Sequence, residues 1–422
     1  MSKIAKIHAL EILDSRGYPT IKAKVFLENG SWGCASVPAG ASKGKAEATE
    51  LRDGDDKRYQ GKGVKKAISL INTRIHRLLK ETDINLLREI DQKMIESDGT
   101  KTKSDLGANT TLAVSLACAR AGALANGKSL HRHIREVYNL GHKDYQLPLP
   151  MMNVINGGLH ADNRLNIQEY MIVPKADKYP EIIRYGAEVF HKLKDILKAK
   201  GKRVSVGDEG GYAPDLDTNE EPFVLISEAI SQAGLTPGED VTLAIDAAAD
   251  NFFNSEQNKY FLDLENSSLS SDQLAALYAD WASKYPIVSI EDGLAEEDFA
   301  GWSLLQEKLG KNLMIVGDDL FVTSQERLKI GIAKQLANAI IIKPNQIGTL
   351  TETIDCVRLA QANKIKTIVA HRSGDTCDSF IADLAIAVKA DFIKTGSLCR
   401  SERLAKYNRL LEIEEELSAD EG

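Results

Sequence analysis

Three carboxylates each close a short apolar run: Asp246 in Val241-Thr-Leu-Ala-Ile-Asp246, Glu291 in Ile287-Val-Ser-Ile-Glu291 and Asp318 in Leu313-Met-Ile-Val-Gly-Asp318. Hard divalent cations such as Mg²⁺ take oxygen ligands. Three converging acids with no cation between them would repel one another and raise one another's pKa. The simpler alternative is that each acid caps the helix after it. Lys343, His371 and Lys394 end later runs, and Arg372 and Ser373 follow His371 directly. A lysine beside a metal and a second lysine should have a depressed pKa, so that it can be neutral and act as a base. Taken alone, Lys343 reads as a solvent-facing strand terminus. Arg372-Ser373-Gly374 suits a phosphate, although the motif alone is weak evidence.

Further candidates lie upstream. Gly207-Asp208-Glu209-Gly210-Gly211 lets the backbone bend tightly and present an acid, though an ordinary turn has the same composition. Asn156-Gly157-Gly158-Leu159-His160 is followed by Gln168-Glu169. Of the eight histidines only His160 and His371 lie in such settings, and a lone histidine is more often structural. Gly40-Ala41-Ser42-Lys43-Gly44-Lys45 superficially resembles a nucleotide loop, but Ala39 and Ala46 break the pattern. It reads as a mobile small-residue loop, a candidate lid.

The elements that must position these groups follow from the apolar rhythm. Unalternated runs ending in polar residues, each followed by helical composition, recur about every 25 residues from 241 onward. Such runs describe strands buried on both faces, and their alternation with helices implies a parallel β/α barrel. Reactive groups then fall at the C-terminal strand ends. Upstream, 4–13, 19–28 and 32–37 read as a three-stranded meander. Helical patterns follow near 62–80, 84–97, 106–125 and 129–138. Leu147-Pro148-Leu149-Pro150 breaks that series, since proline continues neither element well. The expected architecture is α/β: a smaller α+β domain at 1–140 and a β/α (TIM-like) barrel at 141–422. The acidic end, Glu412 to Gly422, reads as a helix end that frays.

Composition sets the outer limits. The 422 residues are 43% hydrophobic and 27% charged, with a net charge of −8. That balance suits a globular protein and argues against nucleic acid or an anionic membrane as the main partner. An anionic substrate would need a locally cationic pocket. Five scattered cysteines without a C-x-x-C pair read as reduced thiols in a cytosolic protein. Neither a signal peptide nor a membrane-spanning run is expected.

Several motifs together resemble the enolase family. They are Leu13-Asp-Ser-Arg-Gly17, Val206-Gly-Asp-Glu-Gly-Gly-Tyr-Ala-Pro214, Ile287-Val-Ser-Ile-Glu-Asp292, Val316-Gly-Asp-Asp-Leu320, Ile342-Lys-Pro-Asn-Gln-Ile-Gly348, His371-Arg-Ser-Gly374 and Ile393-Lys-Thr-Gly-Ser397. The resemblance spans nearly the whole chain. It implies reversible dehydration of 2-phosphoglycerate to phosphoenolpyruvate through an ene-diolate neutralised by two Mg²⁺. It further implies that Asp246, Glu291 and Asp318 hold the first Mg²⁺, and that the second arrives with substrate at the loop of Ser42. Lys343 would remove the C2 proton, and Glu209, paired with Glu169, would protonate the leaving C3 hydroxyl. Arg372 and Ser373 would hold phosphate and Lys394 the carboxylate, with Gln168, His160 and His371 lining the pocket. The lysine-with-Mg²⁺ logic is a known superfamily pattern.

Some positions depart from the family pattern: Ala39 and Lys43 in the lid, Leu159, and Pro344 after the expected base. Lys22 and Glu412 reverse the signs usual at those positions, so the expectation is a homodimer in which they meet across the interface. The resemblance implies a cytoplasmic enzyme; a secreted or cell-surface pool is the other location it brings. Two competing functions stand beside it. One is a catalytically weak surface or scaffold protein. The other is a superfamily acid dehydratase or racemase, for which the usual Lys-x-Lys or His-Asp base pair is missing.

Overall fold

A computed structural model describes residues 2–40, 44–141 and 144–420. The chain opens with an antiparallel meander, β1 (Ile4–Leu13), β2 (Pro19–Leu27) and β3 (Trp32–Ser36), in the order β1-β2-β3. Along β2, Ile21, Ala23 and Val25 are buried while Lys22 and Lys24 are half-buried, the alternation of a sheet covered on one face. The cover is the helix Ala108–Ala125. Helix and sheet approach most closely at Gly33 of β3, where a Cβ would stand 2.2 Å from the Ala121 nitrogen and 2.7 Å from the Ala117 oxygen. Gly33→Ala is therefore expected to lower stability by about 1–3 kcal/mol through overpacking, read as a lower urea midpoint.

The helix expected over 62–80 is interrupted. Lys65–Leu70 and His76–Leu79 flank a π turn at Ile71–Ile75. The reason lies in the edge strand. Asn72 Oδ1 accepts from the Ala9 N–H at 2.7 Å, and His76 Nδ1 accepts from the Ile7 N–H at 3.2 Å. The widened turn brings two side chains onto the unpaired backbone of β1.

Beyond the meander lie β4 (Leu149–Asn156), β5 (Glu169–Pro174) and β6 (Val241–Asp246). A small antiparallel sheet follows, β7 (Phe253–Asn254), β8 (Lys259–Leu262) and β9 (Ser267–Leu269). The chain continues with β10 (Ile287–Glu291), β11 (Met314–Gly317), β12 (Ala339–Ile342), β13 (Lys366–Ala370) and β14 (Phe392–Lys394). Eight of these close a barrel in the order β10-β11-β12-β13-β14-β4-β5-β6. Met151, Met171, Val173, Ala244, Val316 and Ile341 fill its interior, and the residues between them pack outward against the helices. Both faces are covered, so these strands read as continuous apolar runs.

The barrel is not wholly parallel, contrary to expectation. β5 runs antiparallel to both β4 and β6. The connection from β4 to β5 carries no crossover helix to return the chain to the far end. The reversal places the first residue of β5, Glu169, opposite Asp246, the last residue of β6. Pro150 also departs from expectation. It sits inside β4, at the second residue of that strand, rather than ending an element.

The amino-terminal helices brace the barrel mouth. Thr111 Oγ1 donates to the Gly348 carbonyl at 2.7 Å, and Arg120 makes a bidentate pair with Asp378 at 2.6 and 2.7 Å. The final helix, Ser401–Asp420, is continuous through most of the acidic end that was expected to fray. Glu412 on this helix pairs with Arg409 of the same chain at 3.1 Å, and Lys22 lies on β2. Among the described residues no helix is long and apolar enough to cross a membrane.

Candidate active site

One cavity at the barrel mouth gathers His160, Gln168, Glu169, Glu209, Asp246, Asp318, Lys343, His371, Arg372, Ser373 and Lys394. Glu291 lies directly beneath, fully buried and bonded to Lys394. Ser42 lies outside the described residues, as does Lys43.

Helix capping does not explain the three acids. Ser270, Asp298 and Ser324 cap the α-helices that come after β6, β10 and β11. Asp246 and Glu291 stand side by side at the ends of neighbouring strands, and Asp318 directly follows the next strand, β11. Burial, followed by the charge of Asp246, holds the Glu291 carboxyl well above the usual range. The repulsion expected of converging acids is thus present.

Two amines balance it. Lys394 Nζ is 3.0 Å from Asp246, 2.9 Å from Glu291 and 3.2 Å from Glu169. β14 is four strands from β10 in the closed ring, so Lys394 reaches across the barrel axis to its acids. Burial alone would lower this amine; Asp246, Glu169 and Glu291 outweigh burial and raise it well above its ordinary value. Lys343 Nζ pairs with Asp318 Oδ2. The expected depression presupposes a metal beside the amine; paired with Asp318 alone the amine moves the other way. Burial lowers the Lys343 amine, but contact with the Asp318 carboxylate overrides burial and raises it. Arg372 and Lys394 both pull it down. A cation that drew off the charge of Asp318 would weaken the main raising contact and favour the neutral amine.

On the far side of the mouth, His160 Nδ1 lies 3.7 Å from both Glu169 and Glu209, and His371 Nε2 is 3.4 Å from Glu209 Oε1. Asn153 Nδ2 donates to Glu209 Oε2 at 3.2 Å. Burial and then Glu209 hold the Glu169 carboxyl well above its ordinary value. Burial of Glu209 is outweighed by His371 and His160, which hold its carboxyl low. The two carboxyls thus accommodate one proton between them.

Burial also pushes His371 down to about 4 from 6.5. Because the unfolded chain binds this proton first, stability is lost as pH falls from 6.5 towards 4, by about 3 kcal/mol for this group. Urea unfolding of wild type and His371→Gln across that window should show a shallower acid decline in the variant.

Several contributors escaped the sequence reading. Asp292 accepts the backbone N–H groups of Asp318 and Asp319, each at 2.9 Å, which orients the turn after β11. Asp319 is pushed up to about 8 by burial and then by Asp318. Both acids stand inside quoted motifs, directly after an expected ligand, and that adjacency was the available signal. Gln346 donates to Asp318 at 2.9 Å and accepts from Thr323 at 2.7 Å. Pro344 accounts for its position: it opens the short helix Pro344–Ile347 and keeps Lys343 extended before it. Glu47, just past the lid, holds both guanidinium nitrogens of Arg372 at 3.0 and 3.1 Å. Ala39 exchanges two backbone bonds with Gly374, so the backbone at Ala39 is tied to the Arg372-Ser373 loop. Leu159 is 59% exposed on its loop.

The donor chemistry fits a hard divalent cation. Asp246, Glu291 and Asp318 offer only oxygens, and one cluster, Asp292, Asp318 and Asp319, already brings carboxylate oxygens within 4.8 Å of one another. A second cluster joins His160, Glu169 and Glu209.

Fold and site together define a two-domain barrel protein with an acid-lined, lysine-bearing mouth. The model of the enolase N-terminal domain matches residues 4–134, and that of the enolase C-terminal TIM barrel domain matches residues 144–421. These matches take in almost all of the chain, which belongs to the enolase family.

Proposed function

We propose that this protein interconverts 2-phospho-D-glycerate and phosphoenolpyruvate. The observation that carries the reading is topological. Lys343 follows β12, and β12 is four strands from β5, whose first residue is Glu169, in a ring of eight. A base and an acid pair therefore face each other across one cavity. Lys343 takes the C2 proton from one face, and the Glu209–Glu169 pair gives a proton to the C3 hydroxyl leaving from the other. Arg372 and Ser373 receive the phosphate, and Lys394 the carboxylate. Gln168, His160 and His371 complete the wall and exclude water. Asp246, Glu291 and Asp318 would hold one Mg²⁺, and the loop of Ser42 a second that enters with substrate. Bound Mg²⁺ supplies positive charge where the substrate carboxylate gains negative charge, and it relieves the raised carboxyl of Glu291.

The test is a direct assay on the purified protein. Phosphoenolpyruvate should form from 2-phosphoglycerate with Mg²⁺ and stop on chelation; no turnover under either condition rejects the reading. The assembly belongs to the same proposal: a cytoplasmic homodimer with Lys22 of one protomer facing Glu412 of the other. Lys22→Glu should then weaken the dimer in sedimentation, and adding Glu412→Lys should restore it. If single and double variants behave alike, the pairing is wrong.

A further inference from the structure

Arg403 is fully buried on the last helix. Its guanidinium reaches the loop of Asp208 and Glu209 and the loop of Arg372 and Ser373. Nη1 donates to the Arg372 carbonyl at 2.6 Å. Nη2 donates to the Ser373 carbonyl at 2.6 Å and to the Asp208 carbonyl at 3.1 Å. Nη1 also lies 2.6 Å from His371 Nδ1.

That last contact has a chemical consequence. A guanidinium donates and cannot accept. Nδ1 must therefore present its lone pair, and the single proton of the neutral imidazole must sit on Nε2. Nε2 is the nitrogen 3.4 Å from Glu209 Oε1. The contact is too bent for a hydrogen bond, and its sign still depends on the tautomer: an N–H, rather than a lone pair, stands on the nitrogen nearest the Glu209 carboxylate.

We propose that Arg403 is a positioning residue for the reaction: it fixes the His371 proton on Nε2, the nitrogen beside Glu209, and sets the spacing between the loop of Glu209 and the loop of Arg372 and Ser373. The proposal rests on the reading of Glu209 as the proton donor. Lysine cannot replace it fully, because one amine cannot reach His371 and three carbonyls together. Orienting groups one layer from a reactive group commonly change activity about 10–100-fold, and kcat of Arg403→Lys is expected to fall in that range while KM moves far less.

The deciding readout is the tautomer, measured without substrate. Side-chain ¹⁵N spectra of His371, assigned by their loss in His371→Gln, should show a protonated Nε2 and a bare Nδ1 in the wild type. In Arg403→Met the proton should move to Nδ1 or distribute over both nitrogens. If that variant does not fold, Arg403→Lys carries the test, with a mixed tautomer expected. A wild type protonated on Nδ1, or an unchanged tautomer in the folded variant, overturns the proposal. If the wild type lacks lyase turnover but the tautomer still follows Arg403, the proposed reaction falls and the hold of Arg403 on His371 stands.

Discussion

Lys343→Ala is expected to abolish exchange of the 2-phosphoglycerate C2 proton with solvent deuterium and to lower turnover by about 10²–10⁴-fold. Among the described cavity residues, the other lysine is committed to Asp246, Glu291 and Glu169. Among the described residues Lys343 has one carboxylate partner, Asp318, and that partner is also a proposed cation ligand. The substitution leaves Asp318 supported by the Gln346 amide, so the turn after β11 keeps an anchor. Substrate affinity should change little, because the phosphate and carboxylate contacts come from other residues. Nuclear magnetic resonance in deuterium oxide reads the exchange directly, and exchange that persists removes Lys343 as the base.

Lys394→Met should lower stability by about 3–5 kcal/mol in chelated buffer, because it removes the positive partner of buried carboxylates. Lys394 is 2% exposed, and Glu291 and Glu169 are no more accessible. The sign with pH follows from the direction of the Glu291 shift. Its carboxyl is already raised above 4.5 in the folded chain, and loss of Lys394 raises it further. A raised carboxyl favours folding in its protonated form, so the deficit should be small near pH 4.5 and grow as pH rises through the raised value. Mg²⁺ should restore more stability to the variant than to the wild type, because a cation at the acids replaces the missing charge. Urea denaturation with and without Mg²⁺ measures both effects. A variant as stable as the wild type at neutral pH would show that the acids do not depend on this amine.

The barrel was legible because its strands are buried on both faces. Val241–Asp246, Ile287–Glu291 and Ala339–Ile342 are apolar almost throughout and end at, or directly before, a polar group. The meander was legible for the opposite reason, since β2 alternates cleanly under one covering helix. The reversal of β5 was not legible. Strand direction depends on the chain between strands, and Glu169–Pro174 has the same apolar texture as its parallel neighbours. The π turn at Ile71–Ile75 escaped because its cause, the exposed edge of β1, is more than 60 residues distant in sequence. Within the site, groups at strand ends announced themselves by position. Glu47, Gln346 and Arg403 gave no such signal, because a loop acid, an amide after a proline and a helical arginine have ordinary alternatives everywhere in the chain. Nor does the sequence show that Asp318 lies against the Lys343 amine and raises it.

Central to this account is a divalent cation gripped by acids from neighbouring strands. Manganese diffused with 2-phosphoglycerate into crystals, located by its anomalous signal, tests that most directly. The expected result is a peak bonded to oxygens of Asp246, Glu291 and Asp318. A map without a peak there, or with manganese only on Asp292 and Asp319, would contradict it.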